Sequence, residues 1–234
     1  MIDCGYMADI VMEAPHAFSI GDVSYQLYPM TIGKMLLMQQ ILESIGIDGD
    51  GISKNPILEI VKTVALHRAD CLSLIVLAIA KTKDECFDPE RIKSKTMELS
   101  AILSNEDVAT LMVHVMTCDK SDEVMRQYGI DKEQEAMMAV GKAKSQGCSL
   151  SFGGKTILGT YIDQACERYG WTLEYCVWGV SYSALRIMLA DKVNTIYVSE
   201  EERKNIPSHI LQKDEDAIRA NKENMETIKS MSWK

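Results

Sequence analysis

Ser151-Phe152-Gly153-Gly154-Lys155-Thr156 is the stretch most suggestive of chemistry, because a phosphate-cradling loop ends in Gly-Lys-Thr. Such a loop also needs a glycine at the position held here by Ser149, and Gly147 falls two residues too early. The residues before it, Ala143-Lys144-Ser145-Gln146, are polar and do not read as a core strand. The segment is therefore read as a glycine turn leading into a helix capped near Thr156. Asp48-Gly49-Asp50-Gly51 resembles the start of a calcium loop, and Glu59 falls at the twelfth position as that loop demands. Its fifth position is Ile52, however, its obligatory glycine is Ser53, and Pro56 begins a helix inside it. A solvated turn is the better reading. His16, His67, His114 and His209 are dispersed, with no HExxH pattern or Cys/His cluster. His67 and Asp70 share a helix face and could hydrogen-bond, a pairing that is more often structural than catalytic. No nucleophile elbow or acid–base pair stands out. No catalytic, cofactor-binding or metal-binding residue is assigned, and no enzyme is expected.

The seven cysteines, Cys4, Cys71, Cys86, Cys118, Cys148, Cys166 and Cys176, are odd in number and include no CxxC pair. Several sit in apolar helical contexts, which fits reduced, partly buried thiols better than a disulfide framework. The net charge of −9 and the absence of a Lys/Arg stripe argue against nucleic acid as the main ligand. Met1–Ala14 carries acids but no base, so no signal peptide is expected. The apolar run 71–80 is about half of the roughly 20 residues needed to span a bilayer, so it reads as a buried core helix with no membrane partner. What is unusual is the ratio of 15 methionines to 3 phenylalanines. Methionine fills irregular cores and also coats adaptable peptide-binding surfaces. Met137 and Met138 are assigned to the second role, because their helix is otherwise polar.

The elements that would position these side chains are mostly helical. No regular structure is expected before Pro15. Residues 17–29 read as a β-hairpin with Gly21-Asp22 at its turn, the second strand alternating Val23, Tyr25 and Leu27 against Ser24 and Gln26. Helical periodicity begins after Thr31 and ends at Gly46. A second helix, capped by Asn55 with Pro56 at its first position, is expected to run to about Thr82. Asp88-Pro89 and Ser104-Asn105-Glu106-Asp107 open two more. Residues 119–147 read as two polar helices broken at Gly129. A helix over 156–169, a short aromatic one over 171–178, and one capped by Ser181 that buries Leu185, Met188, Leu189 and Val193 complete the core. The fold class is thus mainly α, a bundle of about eight helices with a small N-terminal hairpin. Its expected organisation is an N-terminal lobe (1–118), a helical linker (119–147), a C-terminal lobe (148–198) and a charged helical tail (199–234). Strands and helices do not alternate, which argues against a parallel sheet.

Two stretches carry a family resemblance. Phe18 to Met35 has the order apolar hairpin, Tyr-x-Leu-x-Pro, Thr-Ile-Gly, helix, and it resembles the opening of phage tail-assembly chaperones. Trp178 to Ala190 resembles the Trp…Ser-Tyr-x-x-Leu helix near the end of such chaperones, and the whole is similar to tail-associated proteins of Bacteroidales prophages. The resemblance implies a helical protein of the bacterial host cytoplasm that coats the tape-measure protein before the tail tube polymerises. On that reading Trp171, Tyr175, Trp178, Tyr182 and Leu185 are the aromatic and apolar anchors, each with core packing as the rival role. A structural tail or neck protein using the hairpin for strand addition is the alternative. Whether the chain self-associates is left open.

Overall fold

The computed structural model describes residues 4–20, 23–47, 54–144 and 154–230. Among the described residues it is mainly helical with one two-stranded antiparallel hairpin, and it has more helices than the eight expected. Residues 151–153 of the segment that suggests a phosphate loop (151–156), the start of the calcium-like loop (48–51) and the hairpin turn 21–22 lie outside the described residues.

The chain divides into two compact units, one comprising 1–128 with 154–191 and the other 129–153 with 192–234. The first unit opens with α1 (Cys4–Val11), where no regular structure was expected. Eight residues are too few to display a repeat, and a helix so short depends on tertiary packing; Ile10 supplies it. Strands β1 (His16–Ile20) and β2 (Val23–Leu27) pair in the register Phe18 opposite Tyr25. Their rings stack at 5.4 Å, and Phe18 also stacks on His114 at 6.4 Å.

Helix α2 (Ile32–Ile45) starts where the Thr31 side chain accepts from the Lys34 N–H and stops at Gly46. The expected helix from Asn55 to Thr82 is instead two, α3 (Pro56–Leu66) and α4 (Arg68–Ile79). His67 leaves helical geometry between them, its N–H still bonded to Thr63 and its carbonyl already accepting from Cys71. The Arg68 guanidinium holds the junction in place, donating to Asn105 Oδ1 and Ser100 Oγ at 2.7 Å each and to the Leu103 carbonyl. The break lets α4 turn independently of α3. Cys71, Leu72, Leu74, Ile75, Val76, Leu77 and Ala78 are all buried, as befits a helix apolar on every side. Around it pack α2, α6 (Pro89–Ile102) and α7 (Asn105–Thr117), with the short α5 (Lys83–Cys86) between α4 and α6. The Ser104–Asp107 pair forms the expected capping box.

A second cluster in the same unit is built from α10 (Ile157–Tyr169), a π-helical turn (Tyr175–Gly179) and α11 (Tyr182–Ala190). At the π turn the Val180 N–H reaches back to the Tyr175 carbonyl. Gly179 allows it, since a β-carbon there would sit 2.2 Å from the Tyr175 ring. Because α11 ends at Ala190, Val193 falls beyond it and is 87% exposed, and Met188 is also exposed; neither is the core residue expected. Helix α8 (Ser121–Tyr128), placed in a linker by its polarity, belongs to this unit. It buries Val124 and Met125, and Arg186 of α11 bonds Ser121 Oγ (3.0 Å) and Asp122 (2.6 Å).

The second unit contains α9 (Ile130–Ala143), α12 (Glu200–Arg203) and α13 (Ser208–Ser230). On α13 every side chain described from Asp216 onward is exposed. Among the described residues no helix is long and apolar enough to cross a membrane.

Candidate functional site

The two stretches singled out in the sequence lie against each other. Thr31 and Ser181, each the N-cap of its own helix, form an antiparallel bridge, and the Tyr182 N–H donates to the Met30 carbonyl at 2.7 Å. Ile32, with no exposed surface, packs in one cluster with Leu185. Gly33 lies against the indole of Trp178, and no room remains for a β-carbon between them. The Glu13 carboxylate accepts the Ser181 N–H at 2.6 Å, which ties the segment after α1 to the same seam. It sits near the positive end of α11, where a carboxylate is favoured.

Beside this seam opens a cleft of about 330 Å³. Met30, Met35, Met38 and Met116 line it, with Tyr28 and Tyr182 adding aromatic surface and Asp9 and Asp119 carboxylates. That volume lies near the lower end for small-ligand sites, so it suits a few apolar side chains more than a whole helix. The thioethers can re-pack around different shapes. Asp119 is held in place, accepting from the Ser121 N–H and the Ser183 hydroxyl at 2.8 Å each. A larger open groove, about 860 Å³, runs between α4 and α6 past Arg68, Phe87, Thr96 and Met97. It gathers neither stretch.

The expected anchors do not form one patch. Trp171 and Tyr175 touch edge to face at 4.9 Å, with Tyr169 against Trp171 at 4.8 Å, so these three form an aromatic strip on which Tyr175 is exposed. Trp178 faces the other way, edge-on to Phe87 at 5.5 Å and packed on the α4 cluster. Tyr182 lines the cleft with its ring 6.2 Å from Tyr161, and burial raises its phenol pKa despite nearby Arg186. Leu185 has 0% exposure and is corrected to a core residue: in this structure it presents no surface to a partner. Met137 and Met138 lie in the second unit, the first half-buried and the second 56% exposed. His67 and Asp70 approach to 3.8 Å at the surface, beyond hydrogen-bond distance.

Two features escaped the sequence reading. Lys34, read only as part of a helix, is 3% exposed, with its ammonium 5.8 Å from the centre of the Tyr28 ring. Desolvation lowers its pKa, while the nearby Cys86, Glu85 and Cys118 oppose that shift. Only its place one turn inside an apolar helix start hinted at burial. On helix α3, the first part of the helix expected over 55–82, Ile57 (64%), Leu58 and Val61 form an exposed apolar strip. The 3.6-residue pattern gave two apolar faces there, and sequence alone did not say which one faced in.

Comparison of the chain with protein-family models, curated proteins and solved structures found no match, so the geometry carries the functional argument.

Proposed function

We propose that this chain is a phage tail-assembly chaperone, which receives apolar side chains of a helical tape-measure segment in the methionine-lined cleft beside the Thr31–Ser181 seam. The carrying observation is that the two stretches resembling such chaperones jointly border a cleft lined by four methionines. A tape-measure protein waiting for its tube exposes long apolar helix faces, and an adaptable apolar cleft covers them reversibly. The carboxylates of Asp9 and Asp119 and the net charge of −9 favour a segment with basic flanks. The exposed strip of Ile57, Leu58 and Val61 adds apolar surface on α3. The work is done by contact, in the cytoplasm of an infected bacterium, without cofactor or reaction.

The test is co-expression with the tape-measure protein of the same gene neighbourhood. The two are expected to co-purify, and Met35→Glu with Met116→Glu, which place charges in the cleft, should abolish the complex while leaving the helical circular dichroism unchanged. A tape-measure protein that is soluble alone and never co-purifies would remove the proposal. One observation favours the alternative of a structural tail or neck protein: among the described residues the hairpin is a sheet of two strands, and a strand without a sheet neighbour on one side is where a further strand could be added. Mass spectrometry of purified virions separates the two, since a chaperone leaves the particle and a structural protein stays.

A further inference from the structure

We infer that Cys166 and Cys176 are a redox pair, which closes into an intramolecular disulfide on exchange with a small disulfide such as oxidised glutathione. The two sulfurs already lie 3.6 Å apart, Cys166 in the last turn of α10 and Cys176 in the π turn. A disulfide needs about 2.05 Å, so side-chain rotation with a small backbone shift supplies the remaining 1.5 Å or so. Nothing in the spacing of ten residues announced this. The fold creates it, because Gly170 ends α10 and the chain turns back so that the π turn packs on it.

The pair is also asymmetric in the way exchange requires. Cys166 is partly exposed and can meet an oxidant, whereas Cys176 has no exposed surface. The Cys166 sulfur attacks glutathione disulfide, forming a protein–glutathione mixed disulfide and expelling one glutathione thiolate. The Cys176 sulfur then attacks the Cys166 sulfur, the protein disulfide forms and the second glutathione leaves. The protein loses two electrons and two protons, and one glutathione disulfide becomes two glutathione thiols. Burial together with the neighbouring sulfur pushes the Cys176 thiol up to about 11, so the second step is slow at neutral pH, and faster than collision with a second oxidant only because the sulfur is already in place. Closure would tie the last turn of α10 to the π turn across the segment that carries Tyr169, Trp171 and Tyr175, stiffening the aromatic strip.

The sequence makes the test clean. Trypsin cuts after Lys155, Arg168 and Arg186, so Cys166 and Cys176 fall on separate peptides, 156–168 and 169–186, with one cysteine each. The reduced full-length protein is incubated in glutathione buffers of increasing oxidised fraction, quenched in acid, alkylated under denaturing conditions and mapped by mass spectrometry. The expected product is the 156–168/169–186 cross-linked pair, lost on reduction. In Cys176→Ala a stable glutathione adduct should accumulate on Cys166, and in Cys166→Ala residue Cys176 should stay a thiol. Wild-type protein that accumulates the Cys166 adduct without the cross-link, or that cross-links either cysteine equally well to Cys71, Cys86 or Cys118, overturns the inference. The wild-type map decides this even if a variant fails to fold.

Discussion

Replacing Gly33 with alanine should destabilise this protein, although alanine is the better helix former. Gly33 is the second residue of α2, and a β-carbon built on it falls 2.5 Å from two carbons of the Trp178 indole and 2.7 Å from a third. Ordinary carbon contacts lie near 3.5–4.0 Å, so the overlap is about 1 Å against a rigid ring. The ring has little room to move, because Phe87 meets its edge at 5.5 Å. Overpacking of this kind costs about 1–3 kcal/mol, while Gly to Ala in a helix returns about 1 kcal/mol, less in a first turn. The net expectation is a loss of about 1–2 kcal/mol. Urea unfolding followed by far-ultraviolet circular dichroism measures it without relying on indole fluorescence, which the substitution itself alters. The same change made in a Trp178→Ala background, where the three clashing ring carbons are gone, should be neutral or mildly stabilising relative to that background, giving a coupling of at least about 1 kcal/mol. Gly141→Ala on α9, where nothing lies within 4 Å of the new carbon, should stabilise by up to about 1 kcal/mol. A Gly33→Ala protein as stable as its parent, or one losing the same amount with and without the indole, would refute the packing argument.

Lys34→Met should raise stability at pH 7 by about 1 kcal/mol or more, because a largely desolvated ammonium is exchanged for an apolar chain of similar length. Burial lowers the folded-state pKa of Lys34 below its ordinary 10.5, so at pH 7 both states carry the proton and the buried charge is a full penalty, while between the folded pKa and 10.5 the unfolded chain binds more protons. The penalty fades as pH rises towards 10.5, and unfolding at pH 7 and pH 10 should show the advantage of the variant shrinking. Arg68→Ala should cost about 1–3 kcal/mol in urea unfolding, since its charged hydrogen bonds hold the α3–α4 junction to the α6–α7 connection. Cys71, wholly buried and with its thiol pushed up to about 11, should resist iodoacetamide in the native protein at pH 8 and react after unfolding.

What could be read from the sequence is what a few neighbouring residues decide between themselves. Thr31, Asn55-Pro56, Asp88-Pro89, Ser104 with Asp107, Thr156 and Ser181 each mark a helix start, and each does so by bonding a backbone group three residues away at most. The hairpin was legible for the same reason, since its alternation is local. The missed features depend on distant partners. The interruption at His67 needs Arg68 to find Asn105 and Leu103, and nothing between Asn55 and Thr82 weakens the helical pattern enough to predict it. Helix α1 is made stable by Ile10 in a cluster whose other members lie beyond residue 30. The cleft was half legible: methionine abundance pointed to adaptable surface, but Met137 and Met138 were preferred over Met30, Met35 and Met116, because polarity of a helix says nothing about which clefts form elsewhere.

The same geometry separates those residues of the two stretches that only hold the fold from the residues that line the cleft. Ile32, Gly33, Trp178 and Leu185 give the two stretches their recognisable pattern, and they are spent on holding the stretches to each other. Mutating them would weaken any activity simply by loosening the fold, so their loss could not tell a chaperone from a structural protein. Met35 and Met116 are different: both line the cleft, neither is fully buried, and neither belongs to the Thr31–Ser181 pairing. If the cleft binds a partner, charges at these two positions should remove binding at nearly unchanged stability, whereas Leu185→Ala should lower both together. A loss of binding that tracks stability across all of these variants would mean that the seam matters only as scaffold, and the partner surface would have to be sought on the exposed faces of α3 or the Trp171–Tyr175 strip.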